Sequence, residues 1–178
     1  MLLSKRLWAV PLVGLLVAGL LVGFGDEDEA VAKEPRVTIG KIMVGASAFT
    51  PNENGLGGGD TAYHFNDVSL VVISEYGGFV APVSFPVPVV TIRKMSLVGY
   101  DTNDTSSLQV TLYRAQPLRS GLEDIAFVRT VDSTDDPQVS TTRNIRNRRV
   151  NTVNHAPHLR VDMEGAARLY GVQVVYSY

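Results

Sequence analysis

The residues of this chain that could do chemistry fall into a few small groups. His155-Ala156-Pro157-His158 holds two imidazoles close together. Imidazole nitrogen suits zinc or copper, and a catalytic zinc takes three protein ligands in a tetrahedral array. Asp162 is the neighbouring carboxylate that could complete the set. The spacing is not that of the H-E-x-x-H helix motif, and Pro157 opposes a helix that would align the rings. The plain alternative is a pair of polar residues at a strand end. Asp101, Asn103, Asp104 and Thr105 offer the oxygens that calcium, a hard cation, prefers. They begin like an EF-hand loop but lack its glycine and distant glutamate, and a turn explains them without an ion. Calcium is the one cofactor the sequence suggests. Asn103-Asp104-Thr105 is also a glycosylation triplet, which matters only in a host that glycosylates.

Tyr63, Tyr76, Tyr100 and Tyr113 could offer flat rings on which sugars stack; packing on a sheet face is the alternative. Arg146 and Arg148 belong to a basic cluster with Arg143 and Arg149. On a strand the first two point one way and the other two the opposite way. Such a cluster could meet anionic glycans or lipid heads, or guard an edge strand with charge. Asp60 and Asp67 could pair for glycoside hydrolysis only at a defined separation. Serines and His64 are present, but no G-x-S-x-G elbow appears. Gly55-Leu56-Gly57-Gly58-Gly59 lacks the Lys-Ser/Thr and helix of a phosphate-binding P-loop and reads as an exposed loop.

These side chains need strands to position them. The clearest expected unit is a hairpin from Val89 to Arg114, with Asp101 to Thr105 as its turn. Leu108, Val110 and Leu112 alternate with Gln109, Thr111 and Tyr113, the period-2 pattern of a half-buried strand. Further strands are expected at Val37–Val44, Thr61–Phe65, Val68–Ser74, Asp124–Val131, Val139–Val150, Val153–Met163 and Arg168–Tyr178. In the last, Tyr170, Val172, Val174 and Tyr176 are expected on one face. Pro82, Pro86 and Pro88 restrict Phe79–Pro88 to an edge strand or extended connection, because proline lacks the ladder donor. Many short strands without a sustained 3.6 period argue an all-β, antiparallel two-sheet sandwich. The chain has no cysteine, so such a sandwich must be held by its core.

Met1 to Phe24 has the layout of an export signal: Lys5 and Arg6, then an uncharged apolar run from Leu7 to Phe24. As a helix that run would reach roughly 27 Å, near the thickness of a bilayer core. Residues 1–32 are therefore read as a cleaved signal, ending at Ala30-Val31-Ala32, or as an uncleaved membrane anchor. Residues 33–35 are read as a linker and 36–178 as the domain. The basic start places the domain on the far side of the membrane in either case. Dropping Lys5, Arg6 and Asp26 to Glu29 takes the basic count from 16 to 14 and the acidic count from 18 to 14. A neutral domain is not drawn to nucleic acid, and contact with membrane is expected only through residues 7–24.

The order of segments has a familiar layout. F-P-V-P-V-V-T-I, S-L-V-G-Y-D and L-Q-V-T-L-Y-R are followed by I-A-F-V-R-T-V, S-T-T-R-N-I and a closing R-L-Y-G-V-Q-V-V-Y. This resembles a group of secreted bacterial β-sandwich proteins that end in L-Y-G-V and a tyrosine, over most of residues 36–178. The resemblance implies a jelly roll and an extracellular location, and carries no activity. Where those proteins hold an aromatic pair, this chain has His155 and His158. The expected function is an exported, non-enzymatic domain for binding or assembly at the cell surface, with glycans, surface proteins or a second copy as partners. The alternatives are a carbohydrate-binding module, or a metal- or carboxylate-dependent hydrolase.

Overall fold

A computed structural model describes residues 36–52, 63–66, 68–73, 76–102, 105–117, 121–131, 134 and 136–178. The export segment, the glycine-rich loop, Asp60, Asp67, Asn103 and Asp104 lie outside the described residues.

The described residues form strands β1 (Ile39–Gly45), β2 (Thr50–Pro51), β3 (Tyr63–Asn66), β4 (Ser69–Val72), β5 (Tyr76–Pro82), β6 (Val89–Tyr100), β7 (Ser107–Gln116), β8 (Gly121–Arg129), β9 (Gln138–Thr142), β10 (Arg149–Asn151), β11 (Ala156–Glu164) and β12 (Arg168–Ser177). One 3-10 turn, Ala46–Ala48, separates β1 from β2. All strand pairs are antiparallel. The first sheet runs β10-β6-β12-β4-β3, with β1 also on β12 and β9 also on β6; the second runs β2-β5-β11-β7-β8.

The pairing has a simple logic. β4 pairs β12, β5 pairs β11, β6 pairs β9 and β10, and β7 pairs β8. From β4 onward the chain is therefore one long antiparallel hairpin with its apex between β7 and β8. Rolled up, its successive pairs fall alternately in the first and second sheets. This is the jelly roll, whose two stacked sheets bury both inner faces.

The expected hairpin from Val89 to Arg114 is not formed. β6 lies in the first sheet and β7 in the second, so the segment after Tyr100 crosses between sheets. Alternation reports that one face of each strand is buried. It does so equally for strands paired side by side and for strands stacked face to face. A further difference concerns Val139–Val150, which divides into β9 and β10. Both pair with β6, at different heights. Between them Asn147 adopts a left-handed φ of 41°, and Ile145 bridges Ala126 of β8. The period-2 split of the arginines therefore does not hold. In β12 a bulge between Leu169 and Gly171 resets the phase. Leu169, Val172, Val174 and Tyr176 are buried, whereas Tyr170 is displaced from their face, since a bulged residue has no opposite partner.

The core is one cluster between the sheets. Met95, Leu97, Val172 and Val174 come from the first sheet, and Phe79, Val110, Leu112, Leu159, Val161 and Met163 from the second. Full burial of such a side chain stabilises by roughly 1.5–3 kcal/mol. With this phase fixed, β11 must turn His158, Arg160, Asp162 and Glu164 outward. Near the crossover Gly99 of β6 lies close against Leu108 of the second sheet. A Cβ there would collide with Leu108 Cδ2 and lie 2.5 Å from the Arg168 carbonyl oxygen. Gly99→Ala is expected to cost about 1–3 kcal/mol by overpacking, read as a lowered urea midpoint with an unchanged slope. A wild-type midpoint would show that the sheets can part here without penalty.

Candidate functional site

The outer face of the second sheet gathers the chemistry. Register sets its rows across β11 and β7: His158 opposite Tyr113, Arg160 opposite Thr111, Asp162 opposite Gln109. β8 extends two of these rows, with Phe127 opposite Thr111 and Arg129 opposite Gln109. A bulge between Leu112 and Tyr113 brings Asp124 opposite Tyr113. At the far side, β5 carries Tyr76 opposite Glu164.

Two features stand on this face. The Tyr113 and His158 rings stack at 5.6 Å between centroids and 21° between planes, and both are half-buried. Cross-strand register alone brings them together, and the pair stands beside the second feature, a polar network. Tyr76 Oη donates to Asp162 Oδ1 at 2.7 Å. Arg160 reaches the same oxygen through Nε at 3.0 Å and Nη2 at 2.9 Å. Burial pushes the Tyr76 phenol up from the ordinary 10.0 to about 12, helped by the hydrogen bond to Asp162 and that carboxylate's charge. For Arg160, burial opposes the charged form, but the hydrogen bond and charge of Asp162 outweigh it and hold the pKa above the ordinary guanidinium value.

The sign of this coupling is testable. The neutral phenol is the folded state's preferred form. Its stabilising contribution is complete below pH 10 and is lost as the pH rises through about 12. In a phenolate absorbance titration, Tyr76→Phe is expected to remove a late-ionising tyrosine. Asp162→Asn is expected to move that tyrosine to lower pH, though burial keeps it above the free value. An unchanged curve for both variants would contradict the assignment.

Beside β8 the face ends in a cavity of about 330 Å³. Thr111, Asp124, Ile125, Ala126 and Phe127 form its sheet side, and Thr142, Asn144 and Arg146 form the other. The 142–146 segment is held there by the Ala126–Ile145 bridge and by Arg146 N–H donating to the Ile125 carbonyl at 2.8 Å. Phe127 is exposed, and Asp124 is the one carboxylate among the described residues lining the cavity.

The structure unites Tyr76, Tyr113 and His158 on this face and places Arg146 at its edge. Tyr63 lies apart on β3, its ring edge-on to Phe79 at 5.3 Å. Tyr100 is buried at the end of β6, near the Tyr170 ring at 6.1 Å and beneath the Arg168 guanidinium at 5.6 Å. Tyr100 packs inside the fold rather than offering a face to a ligand. Arg148 is exposed, and its carbonyl accepts from Ile92 N–H at 2.8 Å. His155 Nδ1 lies 2.9 Å from the Asn151 carbonyl oxygen and His158 Nδ1 lies 3.2 Å from that of Ala156. Asp162, the expected third ligand, is engaged by Tyr76 and Arg160. Among the described residues no three His, Cys, Asp or Glu side chains are grouped to hold a metal. Asp101 is buried, one carboxylate oxygen accepting from Thr130 Oγ1 and the other without a hydrogen-bond partner. Arg160, Gln109 and Phe127 were not singled out from sequence. Their outward phase was readable, but not that their strands are neighbours.

No protein-family model and no curated protein sequence matches the chain. Solved structures do. The fold is shared with a xylan-binding module. That module, CBM15, superposes with a TM-score of 0.51 at 12% identity, over 78% of this chain and 97% of its own. The CBM22-1-GH10 modules of Clostridium thermocellum endo-1,4-beta-D-xylanase 10B, complexed with xylohexaose, also give a TM-score of 0.51, at 10% identity over 76% of this chain. This chain spans 27% of that xylanase chain. At such identity the likeness concerns the fold. No helix among the described residues is long and apolar enough to cross a membrane.

Proposed function

We propose that this chain is a carbohydrate-binding domain and that it binds glycans on the outer face of the second sheet. The stacked Tyr113 and His158 rings beside the Tyr76–Asp162–Arg160 network carry this reading. Sugars present apolar C–H faces and a rim of hydroxyls. A flat ring buries the former, and charged hydrogen-bonding groups pair with the latter. Rings and charges alternate across one half-open face, ending in a cavity at the low end of the roughly 300–1,000 Å³ of small-molecule sites. The jelly roll shared with xylan-binding modules is consistent with this reading. The export signal read in Met1 to Phe24 would bring the domain to where polymeric glycans are met.

This reading replaces general binding or assembly as the better-supported one. A hydrolase of the two-carboxylate kind needs a facing partner for Asp124, and the described cavity lining supplies none. Affinity electrophoresis against a panel of soluble polysaccharides tests the proposal. Retardation by at least one glycan, relieved by Tyr113→Ala, is expected. No retardation by any polysaccharide would refute it.

A further inference from the structure

We infer that the preferred glycan carries carboxylated sugars, and that a uronate ring enters the cavity beside β8 with its carboxylate on Arg146. The inference rests on the glycan-binding reading and names its ligand class.

Arg146 lines the cavity, and among the described residues its side chain enters no ion pair; the pairs there are Arg114–Glu123 and Arg160–Asp162. The guanidinium is a planar fork that matches a carboxylate with two parallel hydrogen bonds. Opposite it, Phe127 offers an apolar ring face, and Thr111, Thr142 and Asn144 offer neutral partners for hydroxyls. Asp124, also in the lining, adds an acceptor suited to a sugar hydroxyl.

The surroundings carry the same sign. From Gln138 to Arg149 the chain holds Arg143, Arg146, Arg148 and Arg149 and no acidic residue, and all four arginines are exposed. The backbone holds Arg146 at the cavity. Asn147 turns the chain with its left-handed φ, and the Ala126–Ile145 bridge fixes the segment to β8. A neutral domain with such a local concentration of positive charge attracts anionic polymers over about a Debye length, roughly 10 Å at 0.1 M salt.

The test compares oligogalacturonate with the same oligomer after reduction of its carboxyl groups, by titration calorimetry at two salt concentrations. A sulfated galactan serves as a second anion. The wild-type chain is expected to bind the uronate about tenfold tighter than the reduced oligomer, with that advantage shrinking at high salt. Arg146→Gln is expected to abolish the preference by lowering affinity for the uronate far more than for the reduced oligomer; Arg146→Lys is expected to restore only part of it. Arg143→Gln, away from the cavity lining, is expected to alter the salt dependence alone. Equal affinity for the two oligomers would overturn the inference while leaving glycan binding intact. Equal or tighter Arg146-dependent binding of the sulfated polymer would overturn the carboxylate assignment. Failure to bind any of the three, with another polysaccharide of the panel still retarding the chain, would overturn the inference alone; failure across the whole panel would remove the glycan reading itself.

Discussion

Replacing Phe79 with alanine is expected to lower the unfolding free energy by about 3–5 kcal/mol. Phe79 is fully buried, at 0% exposure, in the middle of β5. It sits between Pro51 of β2 and Val161 of β11 in register, and its ring meets that of Tyr63 edge-on at 5.3 Å. Truncation removes the transfer free energy of the ring and leaves a void that flanking strands, tied on both sides, close only in part. For a domain of this size the melting temperature should fall by on the order of 10 °C. The chain has no disulfide to offset the loss, because it has no cysteine. Tyr63 also loses its edge contact, so Phe79→Leu, which keeps more of the volume, should cost markedly less. Calorimetry decides this: a fall of under a few degrees for Phe79→Ala would mean that the sheets are not closely packed at β5. Because Phe79 faces inward, the surviving folded fraction should bind glycan as well as the wild type does.

Tyr113→Ala has the complementary profile. It is expected to reduce glycan affinity about 10- to 100-fold while changing stability little, since buried aromatic anchors dominate recognition surfaces. Tyr113 is half-buried, and its ring stacks on that of His158. Truncation removes the flat surface and frees His158 to reorient. Tyr113→Phe keeps the ring and should retain most affinity. His158→Ala should fall between the two, because Tyr113 alone still offers one face. Tyr100→Ala separates the two roles of tyrosine in this fold. Tyr100 is buried among Tyr170 and Arg168, so its loss should lower stability and spare binding. Full glycan affinity in Tyr113→Ala, measured by calorimetry on folded protein, would move the binding site off this face.

Burial of β11 was legible residue by residue. Leu159, Val161 and Met163 alternate with Arg160 and Asp162, and the first three are buried while the other two are turned outward. The same holds for Ala126 and Val128 against Phe127 and Arg129 in β8. The prolines argued an edge strand or extended connection over Phe79–Pro88: residues 83–88 are such a connection, but Phe79 and Val80 lie in β5, paired with β2 on one side and β11 on the other. The misreadings share a cause. The Val89–Arg114 hairpin and the uninterrupted Val139–Val150 strand both assumed that neighbours in sequence are neighbours in a sheet.

Outside the bulged part of β12, the amino-acid sequence alone determined which side of the alternating strands meets the core. That choice is local: a pleated chain sends successive side chains to opposite faces, and apolar ones leave water. Only the tertiary structure decided which outward faces lie side by side. The meeting of Tyr113 with His158, and of Tyr76 with Asp162, depends on β5, β11 and β7 being adjacent in one sheet. Adjacency follows from how the long hairpin rolls, which is a property of all the strands packing at once. No short stretch of residues carries it.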